Sequence, residues 1–324
     1  MNRRDTLLAL LACGAVPLLS FAQQPGKVWR IGYLDLGTRQ SAAGRLDMLL
    51  NGLREAGYDE GRNLVIDGRY ADGNVERLDG QAAEIVRLNV DVIVTWGTQA
   101  TRAAQRATTS IPIVVAAEAD PVGNGFAASM ARPGGNITGM STGAAEIVQK
   151  YVELLRTMIP KLSRIAVVYN PTNVGNVAML QSVQVAGKRL GWEVLPIGVR
   201  VNDLESGFAA MARDRAGAVI ILPDASFNGE RQRISALALK HRLPSIAMAS
   251  ENVDAGILMT YGASMNDNGR RAATLVDKVF KGGNPAELPF ELPTRFYLDI
   301  NRSTARSLGL AVPQELLLRA DRVV

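Results

Sequence analysis

The sequence has 324 residues, with 36 Lys and Arg against 31 Asp and Glu, and a formal net charge of +5 at pH 7. Its basic residues are scattered rather than clustered, which argues against nucleic-acid binding. Cys13 and His241 are the only cysteine and the only histidine. This composition excludes a disulfide framework and all but excludes a zinc site, and we expect no metal or cofactor.

Residues 1–22 have the pattern of an export signal. Arg3 and Arg4 give a short basic start, no charge occurs from Leu7 to Phe21, and small residues lead up to Ala22. We predict cleavage after Ala22. The mature chain of about 300 residues, with a net charge of about +4, would then function in the periplasm.

Two features leave alternatives for this signal. Arg3 and Arg4 loosely resemble a twin-arginine signal, although Thr6 stands where an apolar residue is usual. Leu10–Cys13 loosely matches a lipoprotein box, which would make Cys13 an acylated first residue. The apolar run continues to Phe21, which favours cleavage after Ala22. The run is also too short for a membrane span.

The first half of the mature chain alternates short β-branched runs with longer helical patterns. Nearly all of the runs are apolar on both faces, which is typical of parallel strands covered by helices. The predicted strands are Arg30–Asp35, Leu64–Tyr70, Asp91–Trp96, Ile111–Ala117 and Asn136–Ser141. This pattern predicts a doubly wound α/β unit.

The same alternation then begins again and predicts a second α/β unit of similar size. Its predicted strands are Arg164–Asn170, Trp192–Val199, Ala218–Leu222 and Ser245–Ala249. The less regular end, with strands predicted at Gly256–Tyr261 and Phe296–Asn301, is too short for a third domain. We therefore expect these last segments to dock on the first two units, and the chain to cross between them more than once.

Two short motifs suggest enzyme classes that the predicted topology disfavours. Gly139–Gly143 matches a nucleophile elbow, with Ser141, Asp224 and His241 in hydrolase order. However, His241 precedes a strand and so belongs at the amino edge of a sheet, whereas active groups gather at the carboxyl edge. Gly123–Ala128 matches a loose dinucleotide fingerprint but does not turn directly from a strand into a long helix.

Polar residues at the carboxyl ends of the predicted strands form a better candidate site. Helix starts at these ends offer free amides to a ligand carboxylate, and acidic side chains can hold a ligand cation. Each residue alone also fits a helix cap. The candidate ligand-binding residues are Asp35, Thr38, Trp96, Thr98, Gln99, Glu118, Asp120, Ser141, Asn170, Asp224, Ser250 and Glu251.

Several segments resemble a known family. They include Val92–Thr98, Ile111–Val114, Asp120–Gly123, Arg132–Gly139 and Gly269–Ala273, followed by Leu288-Pro289 and Leu308–Leu310. With these segments the chain resembles the periplasmic substrate-binding proteins of ABC uptake transporters, in the family that includes the tryptophan-binding lipoproteins. The resemblance covers nearly the whole mature chain.

The resemblance implies a type I periplasmic binding protein, with two α/β lobes, three crossovers and a ligand cleft. It implies that Thr98, Gln99 and Ser141 meet a ligand carboxylate, and that Trp96 fills space where the family often has a small residue. We add Asp120 and Glu251 as candidates for a cationic group. Lobe 1 is predicted as residues 28–140 plus 251–285, and lobe 2 as residues 141–250 plus 286–324.

The predicted function is capture of a small amino-acid-like or carboxylate ligand by closure of a hinge between the lobes. The closed protein, expected to be a monomer, would deliver the ligand to a membrane permease and its ATPase, with no catalysis. A ligand sensor for a membrane receptor is an alternative with the same fold. An exported α/β hydrolase is a less favoured one.

Overall fold

A computed structural model describes residues 27–324, so the predicted signal peptide and Cys13 lie outside the described residues. Within residues 27–324, no helix is long and apolar enough to cross a bilayer. The described chain forms two sheets. We call the unit around the first sheet the first lobe and the unit around the second sheet the second lobe.

The first lobe is built on a five-stranded parallel sheet with the order β2-β1-β3-β4-β5. Its strands are β1 (Trp29–Asp35), β2 (Leu64–Tyr70), β3 (Val92–Thr95), β4 (Ile113–Glu118) and β5 (Ile137–Ser141). The helices between them are α1 (Arg39–Glu55), α2 (Arg77–Arg87) and α3 (Thr98–Ala107). The strand order reverses between β1 and β3, where the carboxyl ends of parallel strands open a crevice for ligands.

The second lobe has a seven-stranded sheet with the order β12-β11-β10-β9-β8-β6-β7, in which only β10 and β11 pair antiparallel. Its strands are β6 (Arg164–Tyr169), β7 (Glu193–Gly198), β8 (Ala218–Ile221), β9 (Ser245–Ala247), β10 (Met259–Ala263), β11 (Phe296–Ile300) and β12 (Arg322–Val323). Its helices are α4 (Ala144–Met158), α5 (Val174–Arg189), α6 (Leu204–Arg213), α7 (Ala225–Gly229), α8 (Arg231–Lys240), α9 (Glu251–Asp254), α11 (Arg302–Leu308) and α12 (Gln314–Arg319). This sheet reverses its order between β6 and β8.

Each sheet is covered on both faces by apolar side chains. Ile31 and Val94 pack on one face of the first sheet with Leu275 of helix α10 (Met265–Phe280), while Ile93 and Ile113 pack on the other. Separate clusters likewise cover the two faces of the second sheet. The strands therefore have the nearly continuous apolar character of buried parallel strands, and the predicted two-lobe α/β architecture is confirmed.

The chain passes between the lobes at three places: after β5, after β10 and before β11. The predicted lobe boundaries differ from the structure at two of them. Residues 251–263, predicted in lobe 1, belong to the second lobe, where residues 251–254 form α9 and residues 259–263 form β10. Residues 286–291, predicted in lobe 2, run beside β5, where Glu291 donates to Gly139 O at 2.9 Å and accepts from Ser141 N at 2.8 Å. Apolar periodicity identifies a strand but not which sheet it joins, which explains both differences.

Candidate ligand-binding cleft

A cavity of about 130 Å³ lies between the two lobes at the carboxyl edges of both sheets. It is next to both points of strand-order reversal, the place where open α/β sheets bind ligands. Its first-lobe wall includes Leu36, Arg45, Met48, Trp96, Gly97, Thr98, Gln99 and Ala100. Its second-lobe wall includes Asn173, Leu222, Asp224, Phe227, Asn228, Met248, Glu251 and Asn252. We call this space the closed cleft.

The end of β1 holds a buried ion pair, in which Asp35 is fully buried and Arg45 lies on the wall of the closed cleft. Arg45 Nε donates to Asp35 Oδ2 at 3.0 Å, and Nη2 donates to Oδ1 at 2.8 Å. The Tyr33 hydroxyl and the Gly37 amide also donate to this carboxylate, at 3.1 and 2.7 Å. Burial lowers the pKa of Arg45, but the Asp35 charge and hydrogen bonds outweigh it and leave that pKa raised.

Helix α3 begins at the wall of the closed cleft with its first amides uncapped. Gly97 precedes the helix with φ +85° and ψ 166°, which favours glycine, and no side chain caps the helix there. Within residues 27–324, the amides of Thr98, Gln99 and Ala100 have no protein acceptor. Free amides at a helix start, together with the helix dipole, bind anions.

Glu118, at the end of β4, holds the start of α3 in place from behind the wall. Its Oε1 accepts from Thr98 Oγ1 at 3.0 Å, Asn124 Nδ2 at 2.8 Å and the Ala119 and Asp120 amides at 3.0 and 3.3 Å. Its Oε2 is buried without a partner among the described residues. Burial raises the pKa of Glu118 above its usual range despite these four donors, each of which favours the ionised form.

In the second lobe, Asp224 is fixed by hydrogen bonds rather than free for a ligand. Its Oδ2 accepts from Asn173 Nδ2 at 2.8 Å and Asn170 Nδ2 at 3.2 Å, while its Oδ1 accepts from the Ser226 amide at 2.9 Å and caps α7. The Asn170 amide in turn donates to Asn176 Oδ1 at 3.0 Å. This network joins the ends of β6 and β8 and gives the second-lobe wall a fixed shape.

Glu251 is the acidic side chain of the wall that has no partner. It begins α9 and is half-buried, and within residues 27–324 no Lys or Arg pairs with it. Its neighbour Asp254, by contrast, pairs with Arg322 at 2.9 Å. Glu251 also faces a more open cavity of about 530 Å³ beside the crossovers. Its carboxylate is therefore available to a cation in the closed cleft.

Most of the remaining wall is apolar and aromatic. Trp96 and Phe227 are 6% and 3% exposed and come from opposite lobes. Met48, Met248 and Met265 add flexible side chains, which adapt well to aromatic rings. The closed cleft thus combines uncapped amides and a free carboxylate with a wall suited to a flat apolar group.

The lobes touch each other at the rim of the closed cleft. Gln99 Nε2 of α3 donates to Thr172 Oγ1 of the second lobe at 3.3 Å. Gly175, at the start of α5, leaves so little room that an added Cβ would lie 3.0 Å from Thr98 Oγ1. The structure is therefore a closed one, in which the starts of α3 and α5 face each other.

The predicted site residues fall into three groups. On the wall of the closed cleft are Trp96, Thr98, Gln99, Asp224 and Glu251. Behind the wall are Asp35, Glu118, Ser141 and Asn170, all buried. Thr38, Asp120 and Ser250 are exposed: Thr38 caps α1 and Asp120 Oδ1 accepts from Gly123 N at 2.8 Å.

Arg45 and Asn173 line the closed cleft but were not among the predicted site residues. A signal for Arg45 was present, because it shares the buried face of α1 with Ala42, Leu49 and Leu53. A cation within an apolar stripe needs a buried partner or a ligand.

The residues that match a nucleophile elbow and a dinucleotide fingerprint have structural roles in this fold. Ser141 is buried and accepts from Gly143 N at 3.2 Å, at the first crossover. His241 ends α8, ahead of β9 and so at the far edge of the second sheet. Gly123–Gly125 lies in the loop behind Glu118. Among the described residues, no group of three or more His, Cys, Asp or Glu is placed to hold a metal ion.

The family model for ABC transporter substrate binding proteins matches residues 40–324. The chain belongs to this family. Such proteins bind a substrate for transport and are not enzymes, so the hydrolase alternative is set aside. The chain is the extracytoplasmic substrate-binding component of an ABC transporter, and its partners are a small-molecule ligand and the other components of that transporter.

Individual relatives agree with this assignment. A tyrosine-binding protein of Clostridioides difficile is 26% identical over 261 residues, which cover 81% of this chain and 75% of that protein. A conserved domain protein from Vibrio cholerae has a TM-score of 0.87 and 27% identity, covering 92% of this chain and 100% of that one. An ABC domain from Streptococcus pneumonia in complex with L-Trp has a TM-score of 0.84 and 23% identity, covering 91% of this chain and 99% of that one.

Proposed function

We propose that this substrate-binding protein takes up an aromatic L-amino acid in its closed cleft. One observation carries the proposal: uncapped amides of α3 and the unpaired carboxylate of Glu251 line a space between the lobes that is otherwise largely apolar and aromatic. Those two groups match the two ends of a zwitterion. The names of relatives that bind tyrosine or L-Trp support the same ligand class.

The ligand carboxylate lies at the start of α3, where the amides of Thr98, Gln99 and Ala100 donate to it. Hydrogen bonds to a charged group contribute about 1.5–3 kcal/mol each, more than bonds between neutral groups. The ligand ammonium pairs with Glu251. The exposed Asp120, which is outside the closed cleft, has no part in this site.

The ligand side chain lies between Trp96 and Phe227, with methionines around it. A cavity of about 150 Å³ lined by apolar residues is known to accommodate benzene. The closed cleft, at about 130 Å³ in all, has room for one aromatic ring, with the ammonium and carboxylate groups of the ligand at its edge. Offset or edge-to-face ring pairs add about 0.5–1.5 kcal/mol to the burial of apolar area. An aliphatic amino acid of small size would leave part of this space empty.

Binding and closure are coupled because each lobe supplies part of the site. The start of α3 and Trp96 belong to the first lobe, while Phe227 and Glu251 belong to the second. A ligand that touches both lobes binds the closed form more tightly than the open form and shifts the population towards it. The closed rim is then the surface offered to the permease.

We place the mature protein in the periplasm, exported by the signal in residues 1–22 and cleaved after Ala22. Acylation at Cys13 is the alternative that would tether it to a membrane. In either case it works as a monomer beside an inner-membrane permease and its ATPase. Mass spectrometry of the protein purified from its own host distinguishes a free amino terminus at Gln23 from an acylated Cys13.

Isothermal titration calorimetry with L-tyrosine, L-tryptophan, L-phenylalanine and L-alanine tests the proposed ligand class. We expect saturable binding of at least one aromatic amino acid and none of L-alanine. The Glu251→Gln variant loses one charged contact and should bind about 10- to 100-fold more weakly. Glu287→Gln, an exposed carboxylate away from the closed cleft, is the matched control. Wild-type protein that binds none of the aromatic amino acids refutes the proposal.

A further inference from the structure

The buried Arg45 has more hydrogen-bond donors than the protein uses. A guanidinium carries five N–H groups, and Asp35 accepts two of them, one from Nε and one from Nη2. Within residues 27–324, Nη1 has no acceptor in hydrogen-bond geometry, although Arg45 is only 6% exposed. Arg45 also lines the closed cleft, so its remaining donors are within reach of a ligand there.

The position of Arg45 is fixed before any ligand arrives. Asp35 holds it in a two-bond fork, and the carboxylate of Asp35 is itself held by Tyr33 and Gly37. An arginine held in this way loses little conformational entropy when its free edge meets a carboxylate, for which the planar fork is well matched. Asp35 therefore acts as a positioning residue.

The guanidinium of Arg45 and the start of α3 lie at the ends of two adjacent strands, β1 and β3. β1 and β3 pair directly, with Leu34 opposite Thr95, so Asp35 and Trp96 are about one strand spacing, roughly 5 Å, apart. The side chain of Arg45 extends from α1 to the end of β1, where it contacts Asp35, and α3 starts directly after β3. Two kinds of free donor thus converge on the same part of the wall, at the point where the strand order reverses.

We propose that Arg45 and the first amides of α3 form one carboxylate-binding subsite, in which Arg45 makes the charged contact and selects ligands with a free carboxylate. The inference rests on the proposed function and adds the residue that makes the site specific for the carboxylate group of the ligand. A purely structural ion pair is the competing explanation. It makes a different prediction, because a pair that only supports the wall would affect ligands with and without a free carboxylate alike.

The test combines variants with a ligand that lacks the charge. Because removing Arg45 alone would leave Asp35 buried and unpaired, the pair is replaced together as Asp35→Asn with Arg45→Gln. Asp72→Asn with Arg77→Gln, which neutralises an exposed ion pair, is the matched control. Calorimetry measures the affinity of each protein for L-tyrosine and for L-tyrosinamide, and circular dichroism confirms that each variant is folded.

We expect wild-type protein to bind L-tyrosine at least tenfold more tightly than L-tyrosinamide. The buried-pair variant should lose at least tenfold in affinity for L-tyrosine yet remain within threefold of wild type for the amide, while the exposed-pair control matches wild type for both. Arg45→Lys, which keeps the charge but loses the fork, should give an intermediate loss for L-tyrosine alone.

Two results overturn the subsite. One is an equal loss for both ligands, which would show that the pair only supports the wall. The other is unchanged L-tyrosine affinity in a folded buried-pair variant. Failure of the proposed function looks different, because wild-type protein would then bind no aromatic amino acid at all, and the inference would be refuted together with it.

Discussion

Replacing Gly175 by alanine should weaken ligand binding although Gly175 does not line the closed cleft. Gly175 is buried at the start of α5, and the first lobe lies against it. An alanine Cβ there would lie 3.0 Å from Thr98 Oγ1, closer than an ordinary van der Waals contact. The contact with Thr98 exists only while the lobes are shut, so this overlap penalises the closed form alone. The Cβ would also lie 3.3 Å from Asn173 Oδ1 of its own lobe, a contact that is the same in both forms.

The size of the effect follows from that overlap. Adding a methyl group to a packed contact costs about 1–3 kcal/mol, and a single contact with a hydroxyl that can shift slightly belongs near the lower end. A penalty of about 1–2 kcal/mol on the closed form reduces the apparent affinity about 5- to 30-fold. Alanine in place of glycine in a helix meanwhile stabilises the fold by up to about 1 kcal/mol. Affinity should fall while thermal stability without ligand does not.

Calorimetry and thermal unfolding of the same samples test this combination. Gly80→Ala is the matched control, because Gly80 lies in α2 and an added Cβ there would have nothing within 4 Å. The control should gain stability and keep its affinity. Gly175→Val, which extends the overlap, should bind more weakly than Gly175→Ala. If Gly175→Ala and Gly80→Ala bind equally well, the two lobes do not meet at α3 and α5 in the bound form.

Three further predictions concern single side chains. Burial raises the pKa of Glu118, so the stability that its protonated form gives is fully present below pH 4.5 and is lost as the pH rises through its folded-state pKa. The Glu118→Gln variant should therefore flatten this part of a plot of unfolding free energy against pH. An unchanged slope would contradict the raised pKa. Trp96→Phe enlarges the space beside the ligand ring and should raise the affinity ratio of L-tryptophan to L-tyrosine several-fold in competition calorimetry; a lower ratio would place the ring elsewhere. Asp120→Asn should bind within twofold of wild type, since Asp120 is exposed and outside the closed cleft, and a tenfold loss would mean that this cavity is not the site.

The sequence predicts most strands of both lobes because buried parallel strands have nearly continuous apolar side chains. The predicted strand at residues 64–70 matches β2 at both ends, and the others of the two units agree within a few residues. Helix α12 and strand β12 were not predicted, because they are short and have no clear period. Their place is set by docking on the rest of the second lobe.

Burial and pairing of the polar site residues were less predictable than their position in the chain. The sequence indicates that Asp35, Glu118 and Asp224 follow strands, but it does not show that each is already held by other protein groups. Arg45 illustrates the reverse case. Ten residues separate it from Asp35, and only the packing of α1 on the sheet brings the two together. Pairings of this kind depend on tertiary geometry rather than on local pattern.

Small-angle X-ray scattering with and without L-tyrosine or L-tryptophan tests most directly whether the two lobes shut around an aromatic amino acid. We expect the radius of gyration to fall when the ligand that calorimetry identifies is added, and the curve of the bound form to match that calculated from the closed structure. L-Alanine should leave the curve unchanged. Identical curves with and without a ligand that demonstrably binds would contradict the account.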